Sequence, residues 1–173
     1  MFLQTPRLIL RKPELRDVDD HLEFACSEFV LRFNAMTPVT REKAEARFAE
    51  APDDGSVLVM EEKATGKVIG MIYTEEDSLR YGVDSKEFSY FLREDRARKG
   101  LMKEALHALI GHLFETEPLS IVSARCFAPN IASRRLLESL GFRQDGTVRR
   151  CVRGWNDIVF DDCLYSLLRE EFM

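Results

Sequence analysis

The stretch of sequence that decides the fold is EFSYFLREDRARKGLMKEAL, residues 87–106. Residues 87–92 form an apolar run typical of a strand, and a basic loop with one glycine, Gly100, then leads into an amphipathic helix. Backbone N–H groups are exposed at the start of such a helix, where the helix dipole also places partial positive charge. Strand, loop and helix together predict a cradle for an anion such as a diphosphate.

A second segment, PNIASRRLLESLGF at residues 129–142, repeats this plan. It follows an apolar, strand-like pair, Ile121-Val122, and its helix is expected to begin at Asn130, because asparagine is a favoured N-cap. The helix carries an apolar stripe that ends at Gly141-Phe142. The two segments together predict a site for a phosphate-bearing acyl carrier.

Both segments resemble the GNAT family of acetyl-CoA-dependent N-acetyltransferases, and specifically its ribosomal-protein N-terminal acetyltransferase branch. The resemblance covers nearly the whole chain, from TPRLILR at residues 5–11 to DCLYSLLREE at residues 162–171. It implies one acetyltransferase domain over residues 1–173. The implied fold class is α/β, a GNAT fold whose mixed central β-sheet has splayed central strands and is flanked by helices.

The resemblance also implies that acetyl-CoA binds as the acyl-donor substrate. Its pantetheine arm would enter between the two splayed strands and contact the strand backbone. Asn130 would cap its helix while its amide reaches the pantetheine. The positions expected to bind acetyl-CoA are Tyr90, Phe91, Leu92, Arg98, Lys99, Gly100, Leu101, Met102, Asn130 and Ser133.

The anion loop, by which we mean the basic loop that contains Gly100 and leads into the helix, departs from the usual family pattern. Only Gly100 is kept, Ala97 and Met102 replace two other pattern residues, and Arg98 stands where a second glycine is common. A residue other than glycine at position 98 narrows the backbone conformations available beside the phosphates. Arg98 and Lys99 add positive charge, so binding through backbone N–H groups is still expected.

Amide formation from a thioester requires a neutral amine, a polarised carbonyl and a proton for the departing thiolate. Because an alkylammonium is mostly protonated at neutral pH, a base assists the reaction. By resemblance Glu87 occupies the position of a glutamate common in this branch, beside the thioester. A glutamate on a strand is often a solvated edge residue instead, and the sequence leaves both interpretations open.

The proton donor is also assigned by resemblance. Many GNAT enzymes have a tyrosine seven residues after the motif asparagine, but that position here is Leu137. The ribosomal-protein branch uses the serine three residues after the asparagine, which is Ser133. A helix N-terminus would stabilise the developing negative charge on sulfur. The predicted catalytic residues are therefore Glu87 and Ser133.

Composition narrows the function classes. The chain carries 25 Lys and Arg against 30 Asp and Glu, a formal charge of -5, which argues against general nucleic-acid binding. No stretch approaches the ~18 apolar residues that span a bilayer and no targeting segment is recognised, so a cytoplasmic protein without a membrane partner is expected. Three scattered histidines and four cysteines without C-x-x-C spacing predict no metal site and buried, reduced cysteines.

The hydrophobic periodicity predicts alternating strands and helices in the middle of the chain, and hence a mixed sheet with parallel central strands. The first helix has Leu15, Val18, Leu22, Ala25 and Phe29 at helical spacing. Predicted strands cover 7–12, 56–62, 67–73, 86–92, 120–127, 147–153 and 157–168, and predicted helices cover 13–29, 40–51, 99–115 and 131–140.

The sequence thus predicts an N-acetyltransferase that moves acetyl from acetyl-CoA to a primary amine by direct attack in a ternary complex. The acceptor is left open among a protein N-terminus, a polyamine, an aminoglycoside and a small metabolite, since a fold does not choose among them. The alternative is a non-catalytic acyl-CoA-binding module of the same fold, which the altered loop and the missing tyrosine suggest. A monomer and a homodimer are both compatible with the sequence.

Overall fold

A computed structural model describes residues 2–172, and an eight-stranded sheet forms its centre. The strands lie in the order β1-β2-β3-β4-β5-β6-β8-β7. Their bounds are β1 Phe2–Gln4, β2 Leu8–Arg11, β3 Val57–Glu62, β4 Val68–Glu76, β5 Ser85–Leu92, β6 Ile121–Phe127, β7 Arg143–Arg153 and β8 Val159–Leu168.

Helices cover both faces of this sheet. Their bounds are α1 Val18–Ala25, α2 Glu28–Leu31, α3 Arg41–Ala49, α4 Leu101–Thr116 and α5 Ile131–Ser139, with short 3-10 turns at Leu15–Asp17, Glu94–Arg96 and Arg169–Glu171. The core on one face joins α4 and the end of α5 to the sheet. The core on the other face joins α1 and α3 to β3, β4 and β5.

The sheet is mixed because β5 and β6 pair in parallel while the other neighbours that the structure describes pair antiparallel. The connection between β5 and β6 is α4, as a parallel crossover requires. The predicted α/β class, the mixed sheet and its parallel central strands are confirmed.

Most predicted elements are found close to their expected bounds, including the hairpin that joins β3 and β4. The strand predicted at 147–153 is the second half of β7, which begins at Arg143, and β1 was not predicted. The helix predicted from residue 99 begins at Leu101, because Gly100 holds a left-handed φ of 75° at its N-cap.

The predicted helix over 13–29 is wrong in its extent. It divides into a 3-10 turn, α1 and α2, and the break lies at Ser27. The Ser27 hydroxyl donates to the Phe24 carbonyl at 2.6 Å and caps α2, so a side chain that bonds the local backbone starts a new helix. Leu15 and Phe29, predicted on the apolar face, are consequently exposed.

The four cysteines are free thiols, but they are not uniformly buried. Cys126 and Cys163 are buried, Cys26 is half-buried and Cys151 is exposed. The expectation of burial is therefore wrong for Cys151. Cys151 lies near the exposed end of β7, where few residues pack over the strand.

A buried ion-pair network fixes the first helical turn to the sheet. Arg11 on β2 donates to both carboxylate oxygens of Asp17, at 2.7 and 2.8 Å, and its Nε donates to Glu61 at 2.8 Å. Asp17 also accepts from the backbone N–H of Glu14 at 2.7 Å. Because Arg11 and Asp17 are both buried, removing Arg11 would leave Asp17 without its counter-charge, and removing Asp17 would leave Arg11 with Glu61 alone.

We therefore expect Asp17→Ala to lower the free energy of unfolding by about 3 to 5 kcal/mol, since it leaves the Arg11 guanidinium short of its main partner. Urea denaturation measures this change. The matched control is Asp53→Ala, which removes an exposed partner of Lys12 and should leave the unfolding midpoint unchanged. Equal effects of the two substitutions would contradict the role given to the network.

Candidate active site

The central opening of the sheet lies between β5 and β6. These strands pair only from Ser85 with Ile121 to Phe88 with Ala124. Beyond that pair β5 stays bonded to β4 as far as Leu92, and β6 stays bonded to β8 as far as Phe127. The two halves of the sheet therefore diverge, which confirms the predicted splay of the central strands.

A groove of about 740 Å³ occupies this opening. Its walls come from both central strands, the start of α5, the loop between α2 and α3, and the end of α3. The groove brings together five residues that the sequence analysis selected for catalysis or for acetyl-CoA: Glu87, Tyr90, Phe91, Asn130 and Ser133. The predicted residues Leu92, Arg98, Lys99, Gly100, Leu101 and Met102 are not on its wall but continue the chain from β5 into α4.

The N-terminal segment contacts the anion loop through the side chain of Arg7. The Arg7 guanidinium donates to the carbonyl of Lys99 at 2.9 Å and to the Glu104 carboxylate at 2.6 Å. Leu101 and Met102 bury their side chains in the core, so only their backbone N–H groups can serve an anion. The side chains of Arg98 and Lys99 are exposed, and within residues 2–172 they form no ion pair.

Two residues of this loop have left-handed backbones. Gly100 has φ 75° and Arg98 has φ 61°. A Cβ at position 100 would meet nothing closer than the Arg7 guanidinium at 3.6 Å, so φ rather than space requires glycine there. The same argument explains why glycine is common at position 98, where this chain has Arg98. Arginine in this conformation costs about 1 to 2 kcal/mol relative to an unstrained backbone.

At the start of α5, Asn130 caps the helix as predicted. Its side-chain oxygen accepts a hydrogen bond from the backbone N–H of Ser133 at 3.2 Å. That bond uses the backbone of Ser133, so its hydroxyl is available for a different partner. The cap therefore does not depend on the side chain at position 133.

The Ser133 hydroxyl lies 2.8 Å from the Tyr90 hydroxyl, and the two form a hydrogen bond across the groove wall. Burial raises the pKa of Tyr90, because the phenolate would be desolvated, and the bond from Ser133 offsets only part of that effect. Cys126 lies close by, and burial raises the pKa of its thiol to about 12. These groups therefore stay protonated at neutral pH and can act as hydrogen-bond donors.

Tyr90 was expected to contribute only a backbone contact, and its hydroxyl was missed. The orientation of this hydroxyl could have been predicted from the alternation of side chains along the strand. Tyr90 shares a sheet face with Phe88, which packs against the core that α4 and α5 cover. A polar tip on that face therefore points towards α5.

Glu87 lies on the opposite face of the sheet from Tyr90. Its carboxylate accepts a hydrogen bond from Nε of Arg125 at 2.9 Å, and both residues line the groove. Glu87 is thus an ion-paired groove residue rather than a solvated edge residue. Its predicted role as a base stays a prediction.

Two aromatic residues, Tyr165 and Trp155, lie outside the groove wall. The Tyr165 side chain is buried, and its hydroxyl bonds to Arg134, Glu138 and Gln144. Trp155 is partly exposed near the tip of the β7–β8 hairpin, where its backbone N–H donates to the carbonyl of Asn34 at 3.3 Å. Trp155 thereby connects that hairpin to the loop that closes one side of the groove.

The family follows from comparison with known proteins. The model of the acetyltransferase (GNAT) domain matches residues 7–143. The chain belongs to the GNAT acetyltransferase family. This membership confirms the resemblance, the fold and the expectation of an acyltransferase enzyme.

Individual relatives agree with this membership. An uncharacterized N-acetyltransferase of Bacillus subtilis, YnaD, is 24% identical over 177 residues, which cover 99% of each chain. The ribosomal-protein-S5-alanine acetyltransferase of Vibrio fischeri has a TM-score of 0.83 at 17% identity and covers 100% of this chain and 99% of its own. The microcin C7 self-immunity acetyltransferase MccE, solved with acetyl-CoA and AMP, has a TM-score of 0.79 at 15% identity, with 95% and 93% covered.

None of the helices within residues 2–172 combines the length and the apolar composition that crossing a membrane requires. No group of three or more histidine, cysteine, aspartate or glutamate residues in that range could hold a metal ion.

The loop geometry leads to a stability prediction. We expect Arg98→Gly to raise the free energy of unfolding by about 1 kcal/mol relative to Arg98→Ala, because only glycine takes a φ near 61° without strain. Both substitutions remove the same charge, so the alanine variant is the matched control. Urea denaturation of the two variants in the absence of acetyl-CoA measures the difference. Equal stabilities would contradict the strain assigned to position 98.

Proposed function

We propose that this protein transfers the acetyl group of acetyl-CoA to a primary amine by direct attack in a ternary complex. The observation that carries the proposal is the opening between β5 and β6, which has proton-donating hydroxyls on one face and a carboxylate on the other. Its family membership and the bound acetyl-CoA in MccE support acetyl-CoA as the donor.

The proposed binding mode uses three parts of the chain. The diphosphate would bind the backbone N–H groups of the loop before α4, with Arg98 and Lys99 adding charge. The pantetheine would lie along β5 at Tyr90, Phe91 and Leu92, where β5 and β6 no longer pair. Asn130 has its side-chain oxygen in the helix cap, so its amide nitrogen would bind a pantetheine carbonyl.

The chemistry requires balanced proton transfers. The neutral amine nitrogen attacks the thioester carbonyl carbon, the C–S bond breaks, and the amine gives up a proton as the amide forms. Ser133 would protonate the departing thiolate and regain its proton from solvent water, while the 2.8 Å hydrogen bond to Tyr90 orients the Ser133 hydroxyl. Glu87 would accept the proton of the amine, with Arg125 fixing its orientation.

The acceptor is a primary amine on a protein N-terminus, a polyamine, an aminoglycoside or a small metabolite. We further propose a cytoplasmic location, one acetyltransferase domain over residues 1–173, no nucleic-acid or membrane partner, and either a monomer or a homodimer.

Thiol release from acetyl-CoA with a panel of these four kinds of amine identifies the acceptor class. If acetyl-CoA binds but no amine of the panel causes thiol release, the non-catalytic acyl-CoA-binding alternative is favoured. The observation that supports this alternative is Arg98, which stands where glycine is common.

We expect millimolar acetyl-CoA to raise the melting temperature, because a ligand that binds only the folded state stabilises it by about 2.7 kcal/mol at a hundred times its dissociation constant. Differential scanning fluorimetry measures the shift. Gly100→Val should reduce the shift more than Arg98→Ala, since valine disfavours the φ of 75° whereas position 98 contributes mainly charge. The absence of any shift in the wild type would rule out the proposed donor.

We expect Ser133→Ala to lower kcat by about 10² to 10⁴-fold with little change in acetyl-CoA affinity, because a proton donor acts on the transition state. The Asn130 cap uses the backbone of position 133, so the helix should remain folded. Tyr90→Phe should lower kcat less, since it removes only the partner of Ser133. Wild-type turnover in both variants, measured by thiol release, would remove the hydroxyl pair from the mechanism.

A further inference from the structure

A buried carboxylate that the proposed chemistry has not used lines the same groove. Asp162 on β8 pairs with Phe127 at the end of β6, where the sheet has already opened. Its side chain is almost fully enclosed, with a residue exposure of 6%, and Oδ1 makes no hydrogen bond to any residue of the described chain. A buried polar atom without a partner is rare in proteins and requires an explanation.

The neighbouring charges do not compensate Asp162. Arg125 acts on Asp162 electrostatically, but its Nε is bonded to Glu87 at 2.9 Å, and within residues 2–172 Asp162 forms no ion pair. Burial raises the pKa of Asp162, the Arg125 charge offsets part of this effect, and the Glu87 carboxylate adds to it. The folded protein therefore contains an acidic group whose charge its own residues leave largely unpaired.

Strand alternation places Asp162 on the same sheet face as Glu87. Glu87, Arg125 and Asp162 form one group on this face of the groove, with two carboxylates and one guanidinium, and the rest of the lining adds Glu50, Glu75 and Arg47. One negative charge of this group is balanced by Arg125 and the other is not. The surplus charge matches a single cationic ligand.

We infer that Asp162 binds the ammonium form of the acetyl acceptor and so restricts the acceptor to cationic amines. This inference rests on the proposed function and names its substrate class. The ammonium would supply the missing partner of Oδ1. It must pass one proton to solvent water before attack, which leaves Glu87, on the same sheet face, to accept the second proton as the amide forms. A neutral acceptor, such as an alcohol or an aromatic amine, would leave Asp162 uncompensated and would bind poorly.

This role has a consequence for stability that a structural role does not have. A carboxylate whose pKa is raised in the folded state opposes folding when it is ionised, above that pKa, and stops opposing folding once it is protonated. Asp162→Asn should therefore raise the melting temperature at pH 7, and the gain should shrink as the pH falls through the raised pKa. The titratable or charged groups that interact with it are Glu87, Arg125 and Cys126. The rest of the groove lining adds His21, Arg47, Glu50, Tyr73, Glu75, Tyr90 and Cys151.

The adjacent residue provides a matched control. Asp161 has the same side chain, but its Oδ1 accepts from the backbone N–H of Arg150 at 2.8 Å, and it does not line the groove. Asp161→Asn should lower the melting temperature or leave it unchanged, because it weakens a hydrogen bond that is already formed. The two variants remove the same formal charge from neighbouring positions.

The experiment measures binding of n-butylammonium to the full-length protein saturated with CoA, by ligand-observed NMR at pH 7, for wild type, Asp162→Asn and Asp161→Asn. We expect Asp162→Asn to weaken this binding about tenfold or more, because it removes a charge-assisted hydrogen bond. Asp161→Asn should bind like the wild type, and 1-butanol, which has the same shape without the charge, should bind weakly to all three.

Two results would overturn the inference. The first is equal n-butylammonium binding by the wild type and Asp162→Asn, including the case in which neither binds. The second is a lower melting temperature for Asp162→Asn at pH 7, which would show that the carboxylate stabilises the fold. Neither measurement depends on acetyl transfer, and the melting-temperature comparison uses protein without CoA, so failure of the donor proposal, detected as an absent acetyl-CoA shift, remains separate from it.

Discussion

The interruption of one strand ladder determines the rest of the structure. β5 and β6 share hydrogen bonds only as far as Phe88 and Ala124, although both strands continue. The outer ladders continue further, since β5 stays paired with β4 as far as Leu92 and β6 stays paired with β8 as far as Phe127. Each half of the sheet is thus complete on its outer side, while the inner edges carry backbone polar groups that require another partner.

The opening also gives the two sheet faces different chemistry. Because side chains alternate along a strand, Tyr90 faces α5 and Glu87 faces the groove on the other side. A molecule lying in the opening therefore meets hydroxyl groups that stay protonated on one face and carboxylates on the other. This separation suits a reaction that takes a proton from an entering amine and delivers one to a departing thiolate, because the two transfers occur at different positions.

Sequence reasoning could predict the elements with strong periodicity, namely the two segments around β5–α4 and β6–α5. It could also assign Asn130 as an N-cap, since capping depends on local chemistry. It failed where local bonds compete with a helical pattern, as at Ser27, and where function depends on groups distant in the sequence. Tyr90 and Ser133 are 43 residues apart, and only the folded arrangement of α5 beside the central strands brings their hydroxyls together.

Arg98 connects stability with binding. The residue adopts a left-handed backbone that arginine disfavours, and its guanidinium lies exposed at the start of α4. A glycine would relieve the strain but remove a positive charge from the place where a diphosphate would bind. The loop thus combines a strained backbone with a positive charge suited to a phosphate. Asp162 in the groove is comparable, because its unpaired carboxylate is unfavourable in the folded chain and suited to a cation. In both places the folded chain retains an unfavourable feature that a bound, oppositely charged group would offset.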